Sequence, residues 1–175
     1  GDNRAYSYIE TREGNTLADK VMQNVLHFLD PGYKQFSFLE RGSDERQYNA
    51  PGVDLPVCGF CRTKYGEFPE YHTSADDMSL ISPEGLQGAY EAMQQVIMAL
   101  EYNKFYKINC LCEPQLGKRG LYPTVSRKGI YAEVRKLTNF IAYADGRRDL
   151  IDISNKIGVP ICELIENIEK LKESG

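Results

Sequence analysis

Clusters of positive charge are missing from this chain: no window of six residues is dominated by Lys and Arg, and 21 basic against 25 acidic residues give a formal charge of −4. A nucleic acid needs concentrated positive charge to release its counterions, so the composition excludes it as the main partner, and the acidic balance serves solubility. Long apolar runs are missing too. Without a stretch of 18 apolar residues, and with Gly1-Asp2-Asn3-Arg4 carrying no apolar signal core, no segment is expected to enter a membrane or direct export. The cytoplasm is the expected location. Cysteine is sparse and odd in number, at five, which fits reduced thiols better than a disulfide framework. A length of 175 residues leaves room for one large domain or two small ones, with a real core.

The apolar pattern that is present predicts an α/β fold. Ala5 to Ile9 alternates as a strand, and from Asn15 a helical period places Leu17, Val21, Val25 and Phe28 on one face until Asp30-Pro31-Gly32 stops it. Lys34 to Leu39 reads as a second strand and Leu55 to Cys61 as a third, short and buried. Ser82 caps a helix with Pro83 in its first turn. Its apolar face, Leu86, Tyr90, Met93, Ile97 and Leu100, runs to about Tyr102 and is expected to cover the sheet. Alternating strands and helices of this kind place sites in the loops beyond the strand ends.

The texture changes after Cys112. Residues 113–123 are rich in Pro and Gly and read as a connector, so the organisation expected is an α/β domain over 1–112 and a helical module over 124–175. Three helices are predicted there, Ile130 to Tyr143, Asp149 to Lys156 and Pro160 to Lys172, with turns at Ala144-Asp145-Gly146 and Gly158-Val159. That is helix-turn-helix spacing. The third helix would turn Glu163, Glu166 and Glu169 outward, which repels phosphates, so a winged-helix-like module that docks on protein is preferred to a DNA reader.

Two polar segments stand out within the first domain. His72, one of only two histidines, has Asp76 four residues downstream. A neutral imidazole suits a metal, and a carboxylate that accepts its other N–H would fix its orientation. The second segment, Gly42-Ser43-Asp44-Glu45-Arg46-Gln47-Tyr48, follows the second strand, so the two could converge on one site. His27 lies near the end of the first helix, where a solvated or helix-dipole role suits it. Cys58, Cys61, Cys110 and Cys112 offer a four-cysteine zinc site, although Cys-X-Cys is an unusual ligand spacing. A redox dithiol would want its first cysteine at a helix N-terminus, and buried inert thiols are the plainer reading.

Three motifs in order, 42–48, 70–76 and 113–123, resemble the C-terminal part of bacterial aminopeptidase-like proteins, often labelled polysaccharide biosynthesis proteins with an aminopeptidase-like domain. These are similar to the zinc exopeptidase superfamily of co-catalytic zinc aminopeptidases and glutaminyl cyclases, with a winged helix appended. The resemblance implies the C-terminal part of a three-layer α/β/α domain. It also implies a hydrolase in which a zinc-activated water attacks a peptide or amide bond, with His72 as a zinc ligand and Asp76 orienting it. Asp44, Glu45, Arg46 and Tyr48 would lie near the substrate, Glu45 standing where relatives outside the bacterial subfamily have a histidine. The other metal ligands and the Glu general base have no counterpart in these residues, so this chain is expected to be a portion of a longer enzyme, inactive alone. A non-catalytic scaffold in polysaccharide biosynthesis and a cysteine-ligated structural zinc protein stay open as alternatives.

Overall fold

The computed structural model describes residues 2–122 and 130–174, which form two compact units divided between Ile97 and Met98. Unit 1 is α/β. Its centre is strand β1 (Ser7–Ile9), buried along its whole length, with β2 (Lys34–Phe36) parallel on one side and β3 (Gly59–Cys61) antiparallel on the other. Tyr8 pairs with Gln35 and with Phe60. Helix α1 (Leu17–Leu29) makes the β1-to-β2 crossover and buries Val21, Met22, Val25 and Leu26.

A buried acid fixes the start of α1. Asp19, in its first turn, accepts the N–H of Thr16 at 2.9 Å and its hydroxyl at 2.8 Å, a capping arrangement, and also the Thr11 N–H at 2.9 Å just past β1. Its burial is therefore fully hydrogen-bonded, and strand and helix are tied at one carboxylate. His27 is exposed in the last turn, edge-on to the Phe28 ring at 5.1 Å.

Strands two and three are shorter than the sequence predicts. Ser37 ends β2 by accepting the Leu39 N–H at 3.3 Å, which opens a 3₁₀ turn over Phe38–Glu40. Residues 55–58 stay outside the ladder: Pro56 has no N–H to give, and the Asn49 amide accounts for the Val57 carbonyl at 2.7 Å. Helix α2 (Glu45–Tyr48) is a single turn between them.

Helix α3 (Pro83–Tyr102) has the predicted limits and the opposite facing. Its buried positions are small, Gly85, Gly88, Ala92, Val96 and Ala99, whereas Leu86, Tyr90, Met93, Ile97 and Leu100 are exposed. The face expected to cover the sheet does not. The reason is close approach: a Cβ on Gly88 would collide with the Tyr6 hydroxyl and the Arg62 guanidinium. Arg62 is buried there, stacked 3.8 Å from the Tyr6 ring centre, and donates to the Ala5 carbonyl at 2.8 Å and the Gly85 carbonyl at 3.3 Å. Only a narrow helix face fits against that layer.

Unit 2 contains β4 (Phe105–Lys107), a 3₁₀ turn (Leu116–Arg119), α4 (Ile130–Tyr143), β5 (Asp145–Asp149), α5 (Leu150–Ile157) and α6 (Ile161–Glu173). The three predicted helices are present. The Ala144-Asp145-Gly146 turn is not: Asp145 begins β5, which pairs antiparallel with β4, Phe105 opposite Asp149. Asp-Gly-Arg-Arg-Asp has no apolar alternation, so only its partner strand makes it a strand. Asp149 caps α5 through the Asp152 N–H at 2.9 Å, and Gly158 ends it at φ 66. Leu150, Ile151, Ile153, Leu164 and Ile168 are the fully buried heart of the unit. Part of the 113–123 segment and all of 124–129 lie outside the described residues. Among the described residues no helix is long and apolar enough to cross a membrane.

Candidate functional site

One tyrosine joins the two polar loops of unit 1. Glu45, the first residue of α2, is 4% exposed, and its Oε1 accepts the N–H of Gly42 at 2.8 Å, the N–H of Ser43 at 3.1 Å and the Tyr65 hydroxyl at 2.9 Å. Tyr65 closes so tightly over this loop that a Cβ on Gly42 would stand 2.8 Å from its ring. On its other side the Tyr65 ring meets Tyr71, centres 6.2 Å apart, and Tyr71 stacks on the His72 imidazole at 3.9 Å. The sequence Glu45, Tyr65, Tyr71, His72 is thus a continuous line of contact from one loop to the other.

The electrostatics follow from this packing. Burial alone would raise the Glu45 carboxyl, but the N–H groups of Ser43 and Gly42 and the Tyr65 hydroxyl together hold it below its ordinary value. Tyr65 is pushed up to about 12, first by burial and then by its bond to the Glu45 carboxylate, so it stays a donor. Lys64 is 7% exposed beside it; its ammonium donates to the Tyr65 carbonyl at 3.3 Å and faces the rings of Tyr65 and Phe36 at 4.7 and 5.0 Å.

The His72 loop is pinned from outside. Arg4 grips Glu70 with two hydrogen bonds, 3.0 and 2.7 Å, and the Thr73 hydroxyl and N–H both donate to the Glu70 carbonyl, at 2.7 and 3.0 Å. Within that loop His72 adopts φ 58, the left-handed region that costs a side-chain-bearing residue about 1–2 kcal/mol. Its ring is exposed. Asp54 (φ 52) and Cys112 (φ 65) share this left-handed region.

The remaining predicted residues take distinct positions. Asp44, at the N-cap of α2, makes no side-chain cap bond and is exposed, as are Arg46 and Tyr48; among the described residues no ion pair joins Asp44 to Arg46. Asp76 is exposed, its N–H given to the Thr73 carbonyl at 3.2 Å, and no hydrogen bond joins it to His72 among the described residues. Tyr65, Lys64 and Arg4 carried no sequence signal, because their roles come from contacts rather than spacing. Among the described residues no group of three or more His, Cys, Asp or Glu is brought together to hold a metal. Cys58 and Cys61 belong to unit 1, Cys110 and Cys112 to unit 2. Burial pushes Cys58 up to about 11 and also raises Cys61, as befits protonated thiols.

Residues 1–103 match a family described as a domain of unknown function, DUF4910, and residues 104–175 match a winged helix-turn-helix family. A curated Clostridium acetobutylicum protein, provisionally named a polysaccharide biosynthesis protein with an aminopeptidase-like domain, is 37% identical over 161 residues, 91% of this chain. The chain spans 37% of that relative's length. A crystal structure of a provisionally named peptidase from Clostridium acetobutylicum, at 2.37 Å resolution, superposes with a TM-score of 0.83 at 32% identity, covering 99% of this chain and 38% of the other.

Proposed function

Since the chain belongs to the DUF4910 family and is 37% identical over 91% of its length to a relative named for an aminopeptidase-like domain, we propose that it supplies the His72 side of an aminopeptidase-like hydrolase whose substrate is a peptide or amide. The observation that supports this most is the junction at Tyr65, which links the Glu45 loop to the loop that carries His72. Tyr65 and Glu45 hold the geometry. Arg4 and Glu70 fix the base of the His72 loop, and the exposed Asp44, Arg46 and Tyr48 would contact the substrate's amino end. When bound, zinc would supply a Lewis acid and an activated water, and His72 is the residue of this chain assigned to hold it. The residues here do not make up a complete ligand set. The other donors and the general base are therefore assigned to the part of the longer relatives outside the matched segment.

Elemental analysis of this chain and of His72→Ala tests the reading. Substoichiometric zinc in the parent and none in the variant is the expected result. Zinc retained by His72→Ala would move the site to the cysteines, and zinc in neither would leave this chain without a zinc-holding residue of its own. His72→Gly separates strain from function: relief of the left-handed cost is expected to keep or raise its Tm while zinc is lost.

A further inference from the structure

Helix α3 is apolar on two separate sides. Inward it presents Gly85, Gly88 and Ala92; outward it presents Leu86, Tyr90, Met93 and Ile97, spaced at four, three and four residues. These four lie in unit 1, on one side of the helix, and are 55, 64, 38 and 58% exposed. From Leu86 to Ile97 the stripe runs about 17 Å. The remaining side, Glu84, Gln87, Glu91 and Gln94, is polar and exposed, so α3 has a solvent face already and the outward stripe is a second, contiguous apolar surface of the kind that marks a contact. The sheet gives the same indication. Its three strands are three residues each and both flanking strands are edges, small for the central sheet of a layered α/β domain.

We propose that this outer face of α3 is the surface on which the rest of the aminopeptidase-like domain packs, the part that the longer relatives carry outside the matched segment. The relative's length favours that occupant: the match takes up 37% of it, so most of its chain lies elsewhere, and this stripe is an apolar surface of the segment open to it. The inference rests on family membership and on α3. It is independent of zinc and of hydrolysis.

Oxidative footprinting tests it, because Tyr90 and Met93 are both reactive reporters. Labelling is compared between this chain alone and this chain exchanged into the Clostridium acetobutylicum relative in place of its matched segment, with Tyr131 of unit 2, 74% exposed, as the control. A drop of about fivefold or more at Tyr90 and Met93 with Tyr131 unchanged is expected. Equal labelling in both contexts overturns the proposal, and so does protection that appears in the isolated chain as its concentration rises, which would assign the face to a second copy. A second readout does not depend on the exchange. Ile97→Glu in the isolated chain is expected to leave its Tm within about 2 °C, as at a surface position; collapse of the fold would make the stripe internal and overturn the proposal.

Discussion

At Glu45 three donors between 2.8 and 3.1 Å converge on one carboxylate oxygen, and that geometry sets how the loop responds to acid. The carboxyl is lowered from 4.5 on folding, because the N–H groups and the Tyr65 hydroxyl outweigh the opposing effect of burial. A group lowered in this way stabilises the fold above its unfolded value, and that contribution disappears as pH falls through the lower, folded value. Asp2 shifts in the same direction: burial opposes it, while the Thr63 hydroxyl and the N–H groups of Arg4 and Thr63 prevail. The difference between variants therefore isolates Glu45. Chemical denaturation of the parent and of Glu45→Gln is expected to show the parent more stable by about 1.5–3 kcal/mol at neutral pH, with the gap closing as the pH falls below the unfolded value of 4.5 and through the lower folded one. Tyr65→Phe should lose part of the same energy, and the double variant less than the sum.

Among the elements, α1 and α3 follow different rules. In α1 the apolar period and the Asp30-Pro31-Gly32 stop place the helix, but its buried side is only half legible. Val21 and Val25 are buried as their spacing predicts, whereas Leu17 is 49% exposed, Phe28 is half-buried, and Met22 and Leu26 are buried in their place because the sheet meets the helix on a rotated face. In α3 the limits are legible from Ser82 and Pro83, but the buried side is decided by Tyr6 and Arg62, which admit only small residues. Gly88→Ala is accordingly expected to cost about 1–3 kcal/mol in urea unfolding, despite the better helix propensity of alanine, because the new Cβ meets the hydroxyl and the guanidinium. An unchanged midpoint would mean that this contact is looser than it stands. Strand β5 follows a third rule: nothing in Asp-Gly-Arg-Arg-Asp favours a strand, and β4 alone recruits it.

For the whole molecule, the division between Ile97 and Met98 predicts separable stabilities. Leu164 is fully buried among the α5 and α6 apolar residues of unit 2. Leu164→Ala should lower one calorimetric transition by an amount equivalent to about 2–5 kcal/mol and leave a second, belonging to unit 1, near its original temperature. A single transition that moves as one would show the two units to be energetically coupled. The charge pattern acts at this scale as well. On α6 the exposed acids are tied by lysines, Glu163 to Lys136, Glu166 to Lys170 and Glu169 to Lys172, so this helix carries little free positive charge toward a phosphate backbone.

The sequence by itself determined the α/β class, the limits of the long helices, the three C-terminal helices and the family, because each of these depends on periodicity, caps or ordered motifs that neighbouring residues carry together. It also marked the two polar loops. Only the tertiary structure decided that Glu45 is a buried anchor while Asp44 beside it is exposed, that Tyr65 joins the loops, that His72 occupies a left-handed conformation, and that α3 faces its small residues inward. Each of those depends on residues far apart in the chain: Tyr65 lies 20 positions from Glu45, and Tyr6 and Arg62 reach α3 from separate segments. Local patterns record what a residue would bury or bond; which partner arrives, and from which side, is settled by packing across the fold.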